Sequence, residues 1–251
     1  MRFTIAAMSA IAMSAMVANA GDVSPYSGSF SLGYARDNIA NTDIDTYSFS
    51  GAVNYALGSG FNIQLNAEFA EPKVETVPLD HWSIGGVISY RTADYAAGFY
   101  GNNTWIKAVG VTTTYGDYGL VGEYYPTADF TVRLRGGAVN WEGMDGGQLG
   151  GGISFYLVPN VSLNLDAVHL GVSSLHRTTY NVGAEYQPFE SFPLAISAAY
   201  NYTQYNAGNS SCICGGGVMF RLTYRFGNGT TLVERDRNGP LNTLPAPFLM
   251  D

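Results

Sequence analysis

The stretch that decides the fold is Phe61-Asn-Ile-Gln-Leu-Asn-Ala-Glu-Phe69, in which every odd position is apolar and every even position is polar. Successive side chains of a β-strand point to opposite faces of a sheet. The stretch therefore predicts a strand with one apolar and one polar face. The same alternation returns between Tyr180 and Gln187 and again between Leu194 and Tyr205.

Twelve segments of this kind follow one another along the chain. They cover residues 27–36, 45–57, 61–70, 82–91, 95–102, 111–125, 129–140, 147–157, 161–171, 177–187, 192–205 and 215–226. Short turns, such as 58–60, alternate with longer and more polar connections, which are 37–44, 71–81, 103–110, 141–146, 172–176 and 206–214. This alternation of short and long connections is typical of outer-membrane barrels, whose short turns face the periplasm. We expect an all-β fold, a closed antiparallel up-and-down transmembrane β-barrel; ten or fourteen strands are the nearest alternatives.

The composition narrows the class of protein. Charged residues make up only 13% of the chain, against about a quarter in an ordinary soluble domain. The formal net charge of −8 argues against a partner that is a nucleic acid, since nucleic-acid binders carry a basic stripe. A soluble β-sandwich is the alternative fold class, and the placement of the aromatic residues argues against it.

Many aromatic residues fall into two rows, one at the short-turn ends of the predicted strands and one near their long-loop ends. At the short-turn ends these are Tyr55, Phe61, Tyr90, Tyr95, Tyr124, Phe130, Phe155, Tyr186, Phe192, Tyr224 and Phe226. Near the long-loop ends they are Tyr34, Tyr47, Phe69, Trp82, Phe99, Tyr118, Tyr180 and Tyr202. Two aromatic rows with smaller apolar residues between them match the two interfaces of a membrane.

The first twenty residues read as a separate targeting segment. Arg2 precedes an apolar run from Ile5 to Val17, and Ala18-Asn19-Ala20 has the form of a cleavage site. We expect a signal peptide over 1–20, removed after Ala20. The barrel then covers 21–226, and 227–251 form a periplasmic C-terminal tail.

The last predicted strand, which ends at Phe226, has apolar residues at every second position from Phe220 onward. It resembles the C-terminal targeting signal of bacterial outer-membrane barrels. As a whole the chain is similar to the small porin-like outer-membrane proteins of alphaproteobacteria, a likeness that also includes Gly-Thr-Thr at 229–231. The resemblance implies a Gram-negative outer membrane, assembly machinery that reads the strand ending at Phe226, and a passive channel.

One departure from that family pattern is the stretch 227–251, which follows the terminal phenylalanine. One interpretation is a disordered periplasmic tail. The other is a tail that turns back and occludes the short-turn end of the lumen.

Strand parity places ten charged side chains on the polar face, where they would line the pore. They are Glu68, Arg91, Asp117, Glu123, Arg133, Arg135, Asp166, Glu185, Arg221 and Arg225. A charge on the lipid face costs about 2–4 kcal/mol at mid-depth, so these residues must point inward. They either line a water-filled channel or form an ion-pair network that fills the barrel. Arg133 and Arg135 would oppose cations, unless carboxylates such as Glu123 hold them.

The loops predicted outside the cell carry more acidic than basic residues. The acids are Asp37, Asp43, Asp45, Glu71, Glu75, Asp80, Glu142 and Asp145. An acidic mouth predicts a weak cation preference and divalent cations shared with lipopolysaccharide; plain solvated charge is the alternative. Cys212 and Cys214 form either a local disulfide or two free thiols. No spacing indicates a metal or cofactor site.

The sequence thus predicts an outer-membrane channel for passive diffusion of small hydrophilic solutes or ions. A non-conducting structural or adhesive barrel is the alternative. A lipid-modifying enzyme is less favoured. Of His81, His169 and His176, His176 has Ser173 and Ser174 nearby but no obvious orienting acid, and His81 follows Asp80 in a predicted loop. We therefore expect that the protein is not an enzyme. The sequence leaves open whether it forms an oligomer.

Overall fold

The computed structural model describes residues 24–74, 77–108, 110–207 and 213–243. Twelve long strands and the two-residue β4 form one antiparallel sheet. The strands are β1 (Tyr26–Ile39), β2 (Thr42–Gly58), β3 (Phe61–Val74), β4 (Val77–Pro78), β5 (Asp80–Arg91), β6 (Tyr95–Ala108), β7 (Val111–Thr127), β8 (Phe130–Trp141), β9 (Met144–Val158), β10 (Val161–Val172), β11 (Leu175–Tyr186), β12 (Leu194–Ala207) and β13 (Ile213–Phe226).

The sheet closes on itself because β1 pairs with both β2 and β13. Gly28 lies opposite Phe226 and Leu32 lies opposite Leu222 along the seam. Every long strand therefore has two neighbours, and no open edge is left among them. The predicted closed barrel of twelve strands is confirmed. We call the end where β1 begins and β13 ends the proximal end, and the opposite end the distal end.

The two faces of the wall have opposite polarity. Along β3, Leu65 is 67% exposed on the outside, whereas Gln64 and Asn66 are buried inside. The outside also exposes Phe99 and many leucine and isoleucine side chains. A soluble protein buries such residues. Here the alternation of apolar and polar residues along each strand gives the barrel an apolar outer surface and a polar interior.

Aromatic side chains pair across neighbouring strands near both ends. At the proximal end the Phe61 and Tyr90 rings lie 5.2 Å apart, and at the distal end the Phe69 and Trp82 rings lie 4.7 Å apart. The expectation for Phe99 is wrong. It lies in mid-strand, because β6 continues past residue 102 to Ala108.

The prediction of long connections at the distal end is also wrong in most cases. β1 and β2 are joined by Ala40 and Asn41 alone, both with positive φ (50° and 66°), which fits a tight hairpin turn. Glu142 and Gly143 make the equivalent turn between β8 and β9. Polar residues such as Asp43 belong to the paired strands themselves, so a polar stretch in this sequence does not indicate a loop.

The strand predicted over 111–125 is unbroken, as expected, and its glycines have a packing role. Gly119 on β7 lies opposite Gly137 on β8. A Cβ atom on Gly119 would overlap the carbonyl oxygen of Gly136, and one on Gly137 would overlap that of Tyr118. Only glycine lets the two strands approach this closely.

The described residues contain one helix, α1 (Leu232–Asn238). No helix in this part of the chain has the length and apolar character needed to cross a membrane.

We predict that Gly119→Val destabilises the barrel by about 1–3 kcal/mol, because the added side chain overpacks the β7–β8 contact. Gly101→Val is the matched control, since nothing lies within 4 Å of a Cβ atom there. The measurement is the temperature at which the folded band disappears on electrophoresis of unheated and heated samples. Equal loss in both variants would contradict the packing argument.

Candidate functional site: the lumen and the C-terminal segment

All ten charged residues predicted to line the lumen are on strand positions that face inward. Eight of them border a cavity of about 370 Å³ inside the barrel. The eight are Glu68, Glu123, Arg133, Arg135, Asp166, Glu185, Arg221 and Arg225. Of the other two, Arg91 donates a hydrogen bond to the carbonyl of Gly239 (2.7 Å), and Asp117 accepts one from Gln148 (2.5 Å).

The C-terminal segment turns back into the barrel at the proximal end. Gly227 and Gly229 have φ of 109° and 110°, which allows the reversal after β13. The α1 helix then begins at a capping box, in which Thr231 accepts from the Glu234 N–H (3.4 Å). Hydrogen bonds from the Thr230 and Thr231 N–H groups hold the pKa of Glu234 below its ordinary value. The expectation of a disordered tail is wrong for 227–243, and 244–251 lie outside the described residues.

A buried charged network anchors the α1 helix. Arg225 on β13 holds both carboxylate oxygens of Glu185 (2.8 and 3.1 Å) and one of Asp236 on α1 (3.0 Å). The other Asp236 oxygen accepts from the Tyr156 hydroxyl (3.0 Å). Leu232 is fully buried beside Tyr156. The helix is therefore fixed by charge and apolar contact together.

Two further arginines of α1 reach the proximal rim of the wall. Arg237 donates to the carbonyls of Thr127 (2.8 Å) and Phe130 (3.0 Å), and Arg235 donates to that of Glu190 (3.2 Å). These contacts spread the segment across the proximal opening. The interpretation in which the tail occludes this end is the one that the structure favours.

Arg133 and Arg135 do not form an open row of positive charge. Arg133 pairs with Asp166 (3.0 Å) and donates to Ser154 (2.7 Å). Arg135 donates to the carbonyl of Thr243 in the C-terminal segment (3.2 Å). Glu123, which the sequence suggested as a partner of Arg133, instead accepts from the Tyr125 hydroxyl.

The remaining space lies against a wall of small polar side chains. Ser29 and Ser31 on β1 and Ser50 on β2 border the cavity between Glu68 on β3 and Arg221 on β13. Within the described part of the chain, neither Glu68 nor Arg221 is in an ion pair. Both charged side chains therefore border the cavity without a salt-bridge partner in that part of the chain.

The opposite side of the lumen is filled near the distal end. An inward apolar cluster joins β6, β7, β8 and β10 there, formed by Ile106, Tyr115, Val139, Leu170 and Val172. Sequence alternation missed it, because apolar residues on the inward face break the polar pattern only locally. The cluster therefore fills part of the distal lumen on the side away from the serine wall.

The remaining candidate residues lie apart from one another. His81 is buried inside, while His169 and His176 are stacked on the outer surface with ring centroids 5.8 Å apart. No group of three metal-ligating side chains occurs among the described residues. Cys214 is in a disulfide, and Cys212, the only other cysteine of the sequence, lies outside the described residues.

The predicted acidic mouth is divided between the two faces of the wall. Asp37 is buried on the inward face of β1. Asp43 pairs with Arg36 at 2.8 Å, and both side chains are exposed. Asp45 accepts from the Tyr34 hydroxyl at 2.7 Å.

Comparison with known proteins finds likeness in structure alone, since neither a protein-family model nor a curated protein sequence matches the chain. The KdgM porin is similar with a TM-score of 0.53 and 14% identity, over 78% of this chain and 99% of that one. The COG4313 outer membrane channel from Pseudomonas putida F1 is similar with a TM-score of 0.54 and 12% identity, over 83% of this chain and 100% of that one. The translocator domain of the autotransporter NalP from Neisseria meningitidis is similar with a TM-score of 0.52 and 12% identity, over 88% of this chain and 94% of that one. The chain therefore has the barrel fold that these outer-membrane proteins share.

Proposed function

We propose that this protein is an outer-membrane channel for passive diffusion of small hydrophilic solutes or ions, with its own C-terminal segment narrowing one opening. The observation that carries the proposal is the polar cavity of about 370 Å³ that the serine wall, Glu68 and Arg221 border inside a closed barrel. The likeness to a porin and to an outer membrane channel supports it.

The proposed location follows from the outer surface. Exposed apolar side chains such as Leu32, Leu65 and Leu163 cover the barrel between two aromatic rows, as lipid requires. The proximal end then faces the periplasm, after removal of a signal peptide over 1–20. The strand ending at Phe226 would be read by the assembly machinery, and lipopolysaccharide would surround the distal end. Kinship with alphaproteobacterial porin-like proteins is part of this proposal.

The proposed transport is governed by the open side of the lumen. The small size of the serine and glycine residues leaves room there, and the serine hydroxyl groups suit hydrated solutes. A low-dielectric wall focuses the field of the few charges that face the path. Glu68 and Arg221 are therefore the residues that we expect to influence ion selectivity. No catalytic step is part of the proposal.

A second candidate function is a non-conducting structural or adhesive barrel. The contacts of Arg225, Arg235 and Arg237 across the proximal opening favour it. Planar-bilayer recording of the full chain separates the two candidates. Single-channel steps support the channel, whereas a silent bilayer containing folded protein supports the closed barrel.

The membrane location predicts opposite outcomes for two neighbouring residues on β1. Leu32 is 58% exposed on the outside, and Ser31 faces the cavity. Leu32→Arg should destabilise the barrel by about 2–4 kcal/mol through the cost of a charge in lipid. Ser31→Arg should cost much less, because its side chain reaches the polar lumen. Urea unfolding in lipid vesicles measures both, and equal destabilisation would argue against a lipid-facing Leu32.

The channel proposal predicts a change of ion selectivity on neutralising Arg221. Arg221→Gln removes a positive charge from the open path without breaking an ion pair, so cation preference should rise. Arg36→Gln is the control, since it removes the same charge from an exposed site, where salt screens it within about 8–10 Å. Reversal potentials under a salt gradient make the measurement. An equal shift in both variants would show that Arg221 does not face the conducting path.

A further inference from the structure

The part of the C-terminal segment that follows α1 is held by its main chain. Residues 239–243 continue into the lumen, where Leu241 and Thr243 are 2% and 1% exposed. The Gln64 side chain accepts from the Leu241 N–H (2.7 Å) and donates to the Leu241 carbonyl (2.7 Å). One amide side chain thus pairs with both polar groups of a single residue, as a neighbouring strand would.

The same pattern continues on either side of Leu241. Arg91 donates to the carbonyl of Gly239 (2.7 Å). Asn102 and Arg135 both donate to the carbonyl of Thr243 (3.2 Å each). Four side chains from four strands, β3, β5, β6 and β8, therefore bind main-chain atoms of three alternate residues. Recognition of this kind depends mainly on peptide groups, and the Thr243 hydroxyl adds one side-chain contact by accepting from Asn66 (2.7 Å).

An apolar pocket receives the one large side chain of the segment. Leu241 packs among Val87, Ala96, Tyr100 and Val121, all of which are at most 6% exposed. These residues belong to β5, β6 and β7 and lie on the inward face. Main-chain donors and acceptors beside one apolar pocket are the parts from which peptide-binding sites are built.

Holding the tail across the opening does not require this site. Arg225, Asp236, Leu232 and Arg237 already fix α1 at the proximal rim. The contacts to 239–243 lie deeper in the lumen and use a separate set of wall residues. A second set of specific contacts to the main chain calls for its own explanation.

We infer that the lumen contains a binding site for short extended peptides, and that residues 239–243 occupy this site in the free protein. The inference rests on the proposed channel for the route by which a peptide reaches the site. A peptide with an apolar third residue would pair with Gln64 and place that side chain in the pocket of Leu241. The C-terminal segment is then a tethered competitor for the cargo.

The experiment uses the full chain in detergent and the fluorescein-labelled amide of Gly-Pro-Leu-Asn-Thr, the sequence of 239–243. Leu241→Asp puts a carboxylate against the apolar pocket and should displace the tethered segment. Fluorescence anisotropy should then show peptide binding to Leu241→Asp and at least about 10-fold weaker binding to the wild type, because a tethered competitor acts at millimolar effective concentration.

Two matched changes test the main-chain contacts. Adding Gln64→Leu to Leu241→Asp removes the hydrogen-bonding partner of the peptide and should weaken binding about 10-fold. N-methylation of the leucine in the peptide removes the donor to Gln64 and should have a similar effect. Binding that is unchanged by both would overturn the proposed recognition.

Failure of the inference differs from failure of the proposed function. If folded Leu241→Asp, identified by its heat-dependent migration, does not bind the peptide, the peptide site is overturned even where bilayers conduct. Leu241→Ser replaces it if the aspartate variant does not fold. If the peptide binds but no variant conducts, the channel is overturned and the site stands. Peptide that binds and blocks the Leu241→Asp conductance supports both.

Discussion

The pairing of β1 with β13 is the constraint on which the rest of the structure depends. A strand wall in lipid must satisfy every main-chain polar group within itself, because hydrocarbon offers no hydrogen-bonding partner. Closure does this with the main chain alone. The side chains are then free to be sorted by parity, apolar outside and polar inside, and a charged residue at an inward position needs only a partner or water.

Inside the closed wall, charge is handled in two ways. Glu185, Arg225 and Asp236 are drawn together at the proximal end, where burial makes an isolated charge costly and pairing offsets that cost. Glu68 and Arg221 stay apart beside the serine wall. The first arrangement holds the C-terminal segment, and the second borders a polar cavity, so one lumen combines a fixed obstruction with open space.

The sequence alone was sufficient for the class of fold, the number of strands and the inward direction of the ten charged side chains predicted to face the lumen, because a period of two is local information. It was insufficient for the distal turns, where polar strand residues such as Asp43 look like loop residues. It also could not show that Gln64 meets Leu241 or that Tyr115 joins an apolar cluster. Those contacts depend on how far the wall curves and on where the last residues of the chain end up, neither of which has a local pattern.

The separation of Gln64 and Leu241, 177 residues along the chain, has a consequence for assembly. The wall residues that hold the C-terminal segment are spread around the barrel and include Arg91 on β5, Asn102 on β6, Tyr156 on β9 and Arg225 on β13. The site for 239–243 is formed by strands β3 to β8, whereas the segment is attached to the last strand, β13. Seating of the segment therefore ties the end of the last strand to a wall several strands away, and it can follow only once those strands are in place.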